Sequence, residues 1–68
     1  MKRDDKVLVT SYNPPLEGRV ADTYIVPIRN IYEQELIKRY PKGVPMVEVI
    51  IESSGKLQAY VQDVVKKV

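Results

Sequence analysis

Few side chains in this chain have the types and spacing that enzyme chemistry requires. The sequence contains no cysteine and no histidine, which removes thiolate chemistry, the usual zinc ligands and the commonest proton-transfer side chain. Ser53 and Ser54 therefore lack the base that usually activates a serine nucleophile. Glu48 and Glu52 would lie about 13 Å apart on one strand, too far to act on one bond. We expect no enzyme activity, no catalytic residues, no metal and no cofactor.

The remaining candidates for function are cations and tyrosines that could form a binding surface. Eleven Lys and Arg against nine Asp and Glu give a net charge of +2, which is too small to indicate a nucleic-acid partner by itself. The terminal cations would gather at one edge if the last strand lay beside the first, either to attract phosphates or to discourage pairing between strand edges of different molecules. The candidate binding residues, for nucleic acid or a protein partner, are Lys2, Arg3, Lys6, Tyr12, Arg19, Tyr60, Lys66 and Lys67.

The five tyrosines are the only aromatic residues, and their positions divide them into two groups. Tyr12 at a loop entrance and Tyr60 on the outward face of its strand are expected to be exposed. There a ring can stack on a base or fill a pocket on a protein. Tyr24, Tyr32 and Tyr40 are expected to pack in the core.

Alternation of apolar and polar residues predicts a β-rich chain. In the third strand Val47 and its alternate neighbours should face inward, with Glu48 and Ile50 outward. In the fourth strand the same logic places the odd-numbered residues Leu57, Ala59 and Val61 inward and the even-numbered residues outward. The predicted strands are Lys6 to Ser11, Arg19 to Val26, Met46 to Glu52, Lys56 to Gln62 and Lys66 to Val68.

One segment between the second and third strands has helical character. Asn30-Ile31-Tyr32-Glu33 has the form of a capping box, in which the first and last side chains satisfy each other's backbone amides. Tyr32, Leu36 and Tyr40 then recur every four residues. The spacing predicts a helix over residues 31–40 whose apolar stripe lies against the sheet.

The end of the chain has the pattern of a hairpin followed by a brief turn. Ser54-Gly55 supplies a residue that can adopt a positive φ for the tight turn between the third and fourth strands. Asp63 can cap a single helical turn through Val64 and Val65. The last strand is then expected to pair with the first.

Four stretches carry this order of elements: DDKVLVTS, EGRVADTY, VEVIIESSGKLQAYV and QDVVKKV. Together they resemble the SH3-like small β-barrels of the KOW and Tudor types. The resemblance implies one domain over residues 1–68, mostly β with one helix, built as a five-stranded barrel with a helical insertion from Pro27 to Val44 between strands 2 and 3. An open α+β sheet with one helix packed on it would bury the same residues, so both architectures stay open.

Two classes of binding function follow from these observations. Families with this fold bind either nucleic acid or protein, so we expect a non-catalytic module that binds nucleic acid through a basic edge and exposed tyrosines. The alternative is protein interaction or self-association through the insertion and the outward Ile50 and Tyr60, as in an accessory or regulatory protein of a mobile element or virus. No apolar run reaches the roughly 18 residues of a membrane span, and the lack of cysteine fits a cytoplasmic protein.

Overall fold

A computed structural model describes residues 1–68 and contains five antiparallel strands in one sheet. The strand order across the sheet is β4-β3-β2-β1-β5. None of the helical segments has the length and apolar character needed to cross a membrane. The prediction of a small, mostly β fold with one short helix is confirmed. The elements are β1 (Lys6–Val9), β2 (Leu16–Val26), a 3-10 turn (Ile28–Asn30), α1 (Gln34–Arg39), β3 (Val44–Ile51), β4 (Leu57–Val61), a second 3-10 turn (Gln62–Val64) and β5 (Val65–Lys67).

The core consists of β-branched side chains on one face of the sheet. Alternate residues of β1 and β3 are buried, which confirms the predicted inward face of β3. Branched side chains suit this position because they pack well on a pleated surface. Leu16, Tyr60 and Val64 pack around the cluster while half-buried. The buried cluster comprises Val7, Val9, Val20, Val47, Val49, Ile51 and Val65.

The sheet curls around this core. In a flat sheet β1 and β4 would lie about 14 Å apart, because two strands separate them. Thr10, which directly follows β1, nevertheless donates its N–H over 2.7 Å to the carbonyl of Val64, three residues after the end of β4. The rings of Tyr12 and Tyr60 also meet, with centroids 6.2 Å apart. The curl therefore brings the end of β1 close to the end of β4.

An irregularity in β2 changes which of its side chains face inward. The register with β3 shifts between Val20 and Asp22, and an extra residue at such a point bends the strand and increases its twist. Tyr24 was predicted to share a buried face with Val20. Because of the shift it lies opposite Met46 and is 40% exposed, so that prediction is wrong.

Two glycines are required by the geometry of the sheet. A Cβ on Gly18 would lie 2.4 Å from Val49 Cγ1 and 2.7 Å from the Ile50 carbonyl oxygen, so β2 and β3 approach too closely for any side chain there. Gly55 has a φ of +69°, and its N–H donates to the Ile51 carbonyl over 2.7 Å. The predicted hairpin glycine is confirmed.

The predicted faces of β4 are reversed in the structure. Tyr60 lies opposite Val47 and Gln58 opposite Val49, so the even-numbered side chains are on the core side. Leu57 and the other odd-numbered residues are on the outer face, where Leu57 is 55% exposed. The hairpin turn fixes the register, and a register of the other parity would be needed to place the odd-numbered residues inward.

The insertion also departs from its prediction at its start. The structure has a 3-10 turn at Ile28–Asn30, directly after Pro27, and α1 begins only at Gln34. Glu33 occupies the N-cap position without a side-chain capping bond, so the prediction of a capping box at residues 30–33 is wrong. Tyr32 precedes the helix and is 94% exposed, so it does not pack in the core.

A charged contact connects the insertion to the turn before β5. Arg39 at the end of α1 forms an ion pair with Asp63, and its guanidinium lies 5.4 Å from the centre of the Tyr40 ring. The second 3-10 turn has Val61 as its N-cap and no side-chain capping bond. Asp63 therefore binds the insertion instead of capping the turn as predicted.

Candidate binding surfaces

The predicted basic edge forms only in part. β5 pairs with β1 as expected, with Lys66 opposite Leu8 and Lys67 opposite Val7. Since Val7 faces the core, Lys67 extends from the core side of the sheet and Lys66 from the outer face. The Lys67 ammonium lies 3.7 Å from an Asp5 carboxylate oxygen. The two terminal lysines thus do not add to one surface.

Asp5 lies among the N-terminal cations and reduces their positive charge. The Lys2 backbone N–H donates to the Asp5 carboxylate over 2.8 Å. This hydrogen bond, aided by the charge of Lys67, holds the pKa of Asp5 below its usual value, because both interactions favour the ionised form. The carboxylate therefore stays charged near neutral pH.

A denser positive cluster lies on the outer face of β1 and β2. Lys6 is directly opposite Arg19, and both side chains are exposed without an ion pair. Like charges in directly opposite positions are destabilising. Arg19 donates to the Asp4 carbonyl over 3.4 Å, and Arg3 donates to the Ala21 carbonyl over 3.2 Å, so backbone oxygens hold both guanidinium groups in place.

The two candidate tyrosines contact each other and not the cations. Their rings meet edge to face at 88°, and their hydroxyl oxygens are 3.3 Å apart. Tyr12 is 44% exposed, but Tyr60 is half-buried on the core side, so its predicted outward position is wrong. Burial and the hydrogen bond to Tyr12 raise the pKa of Tyr60 to about 12. The pair lies beyond the Val9 end of β1, opposite the end that carries Lys6.

The second candidate surface, which was not predicted from the sequence, consists of two neighbouring clefts beside the β3-β4 turn. A cleft of about 520 Å³ is lined by Leu8, Pro15, Leu16, Glu17, Glu52 and Ser53. A smaller one of about 220 Å³ shares Glu52 with it and includes Arg19 and Ile50. The Glu52 N–H donates to the Glu17 carbonyl over 2.9 Å, which places the two acidic residues side by side. No group of three or more acidic side chains could hold a metal ion.

The free edge of β4 is the third candidate surface. β4 pairs only with β3. The Ile51 N–H donates to the Lys56 carbonyl over 2.9 Å, and bonded positions alternate along an antiparallel strand. The even-numbered residues of β4 therefore bond to β3, and the backbone groups of Leu57, Ala59 and Val61 point away from the sheet. The strand contains no charged residue and no proline.

The sequence contained a signal for this edge. The six residues between Lys56 and Asp63, from Leu57 to Gln62, form the longest uncharged run after Lys42. That signal is visible only once β4 is known to be the outermost strand. Comparisons with protein-family models, curated proteins and solved structures find no match for this chain.

Proposed function

We propose that this chain is a non-catalytic protein-interaction module that binds an extended segment of a partner along β4. The observation that carries the proposal is the unprotected edge of β4. Its outward backbone donors and acceptors have no partner in the sheet, and no charge, proline or bulge blocks them. Added-strand recognition needs such an edge, where main-chain hydrogen bonds supply affinity and neighbouring side chains supply specificity.

The same proposal includes an SH3-like barrel in which β4 and β5 come close at their joined ends without pairing, so that the edge of β4 stays free. The strand order, the curl that joins Tyr12 to Tyr60, and the 3-10 turn between β4 and β5 support it. The Thr10 N–H and hydroxyl both donate to the Val64 carbonyl, over 2.7 and 3.0 Å, which holds this turn against the end of β1. Cross-peaks between the Tyr60 ring and the Val9 methyl groups in an NMR spectrum would test this arrangement, since a flat sheet keeps β1 about 14 Å from β4.

Side chains next to the edge favour an apolar partner segment. Leu57 lies opposite Ile50 on the outer face, and the two are 55% and 44% exposed. An added strand would place its own outward side chains beside Leu57 and remove this apolar surface from water, at about 25 cal/mol per Å² buried. We therefore expect the partner segment to be extended and rich in β-branched residues.

A peptide-display selection with the immobilised chain tests this function. The wild-type chain should enrich extended, β-branched peptides. Ala59→Pro should abolish their binding, because proline removes the outward N–H at the centre of the edge while leaving the bonds to β3. Ala59→Val is the matched control, since it keeps that N–H. No enrichment at an immobilisation density low enough to keep the chains apart, or equal binding by the proline variant, would contradict the proposal.

Nucleic-acid binding is a second candidate, and the Lys6–Arg19 pair is the observation that favours it. A phosphate between these two cations would relieve their repulsion. The tyrosines do not contribute to this surface, because they lie at the other end of β1. The proposed site is therefore smaller than the one expected from the sequence. Lys6 and Arg19 lie on the outer face, Lys66 lies two positions further along the sheet, and Arg3 is bonded to the Ala21 carbonyl of β2.

Fluorescence anisotropy with duplex and single-stranded oligonucleotides at low salt tests the second candidate. Binding should weaken with salt, and the double variant Lys6→Ala/Arg19→Ala should reduce the log–log salt slope by about two, because each lost phosphate contact removes about 0.9. The control is Lys38→Ala/Lys42→Ala, which removes the same charge from the insertion. If the wild-type chain binds neither nucleic acid, this candidate is wrong.

A further inference from the structure

We propose that the occupant of the β4 edge is β4 of a second copy, paired antiparallel with Ala59 facing Ala59 across a two-fold axis. This inference rests on the proposed function, because it names the partner of that edge. The two strands would exchange about four to six main-chain hydrogen bonds through their outward backbone groups. The five strands of each copy would then form one continuous sheet across the dimer.

The side chains of β4 are complementary to themselves in this register. Leu57 of one copy lies opposite Val61 of the other, and Gln58 lies opposite Tyr60. No charged residue lies within the paired strands, so symmetry brings no like charges together. A two-fold interface requires such self-complementarity, because the same surface of each copy forms the contact.

Charges at the two ends of the strand support the same register. Lys56 precedes β4 and Asp63 follows it closely. With Ala59 on the axis, the two Lys56 residues lie at opposite ends of the paired strands. This favours the antiparallel register over a parallel one, where Lys56 would meet Lys56, while Asp63 stays paired with Arg39.

The pairing also completes an apolar row on the outer face. Within one copy, Ile50 lies opposite Leu57, and Met46 connects Val61 to Tyr24 across β3. In the dimer these rows join, so that Ile50 and Leu57 of one copy continue into Val61, Met46 and Tyr24 of the other. Leu57, which is 55% exposed in the single chain, then lies between apolar neighbours on both sides.

Single cysteines test the register directly, because the chain has no native cysteine. Ala59→Cys places two thiols across the axis, where paired Cα atoms are about 5.5 Å apart. Leu57→Cys is the matched control on the same strand and face, because its two copies are displaced by four residues, about 13 Å along the strand. A short bis-maleimide should link the Ala59 variant at least about tenfold faster than the Leu57 variant, since reaction requires proximity.

Sedimentation equilibrium of the wild-type chain supplies the second measurement. We expect a dimer that dissociates on dilution, and Ala59→Lys should convert it to a monomer by placing two ammonium groups across the axis. Ser53→Lys, which adds the same charge in the nearby turn, should remain dimeric. A wild-type chain that stays monomeric at the highest concentration, or equal cross-linking at positions 57 and 59, overturns self-pairing. Peptide selection then decides separately whether β4 binds another partner.

Discussion

The two edges of the sheet differ in length and in charge. β4 exposes an edge of five uncharged residues, Leu57–Val61, whereas β5 is a three-residue strand that carries Lys66 and Lys67. Short edge strands and lysines are common means of preventing strand pairing between molecules. β5 therefore has two protections and β4 has neither.

This difference indicates that the open edge of β4 is not a consequence of small size alone. Both strands are attached to the same core, β5 through the buried Val65 and β4 through the half-buried Tyr60. Either could have carried lysines at its exposed positions without disturbing that core. The chain carries them on one edge only, which is the arrangement expected when association is restricted to the other.

The largest effect should follow from removing the protection of β5. In the double variant Lys66→Thr/Lys67→Thr, the edge of β5 becomes able to pair with β5 of another dimer while β4 stays paired with β4. Each copy then has two edges that pair with other copies, so open chains should form. Static light scattering should show a mean mass that keeps rising with concentration, well beyond a dimer.

The control for this variant must have the same net charge. Lys38→Thr/Lys42→Thr also lowers the charge from +2 to 0 (2 − 2 = 0), but the two lysines lie in the insertion. It should show the wild-type mass. If both variants assemble equally, loss of net charge explains the association and β5 has no protective role.

The next effect concerns β2, which joins the two halves of the sheet. Gly18→Ala should destabilise the whole fold by about 1–3 kcal/mol, because the new methyl group overpacks against Val49 and the Ile50 carbonyl. Gly55→Ala affects only the turn before β4, where a Cβ meets no atom within 4 Å, and should cost about 1 kcal/mol for the positive φ. Urea unfolding of both variants measures the difference, and equal losses would show that the close approach at Gly18 relaxes freely.

Much of the sheet was predictable because its signals are local. Alternating Val and Ile residues identified β1 and β3, and Gly55 identified the hairpin turn. The faces of β4 were not predictable in the same way. The sequence LQAYV places its aliphatic residues at odd positions, but the register set by the turn places Gln58 and Tyr60 opposite buried valines. Pairing across strands therefore decided the face, against the local pattern.

The candidate surfaces were harder to predict because they depend on contacts between distant segments. The cations near the two termini do share the β1–β5 edge, but Asp5 and the pleat divide them between two faces. Tyr12 and Tyr60 meet only because the sheet curls. The register shift near Val20 turned Tyr24 outward, and no residue type in RVADTYIV marks where such a shift occurs.

Alkaline pH should weaken the attachment of β4 through Tyr60. Its pKa is raised to about 12 by burial and by Tyr12, so the folded state disfavours the tyrosinate. The free energy of unfolding is then unchanged below pH 10, the usual tyrosine pKa, and falls as the pH rises toward 12. In urea unfolding between pH 9 and 12, Tyr60→Phe should flatten this loss. Tyr32→Phe, at a position that is 94% exposed, should not.

The smallest effect should be an acid counterpart near β5. The Lys2 amide and the charge of Lys67 lower the pKa of Asp5 from 3.8. The ionised Asp5 carboxylate therefore stabilises the fold at pH values above 3.8, and this stabilisation is lost as the pH falls through the lowered pKa of the folded state. Asp5→Asn should reduce the acid dependence of the urea midpoint, and Asp4→Asn, which removes the same charge one residue away, should leave it. If both variants behave alike, overall charge and not the Lys2–Asp5–Lys67 contact governs the acid response. If the Asp5 and Tyr60 predictions both hold, acid weakens the sheet at the β5 edge and alkali weakens it at the β4 edge, so association through β4 should persist in acid and fail in alkali.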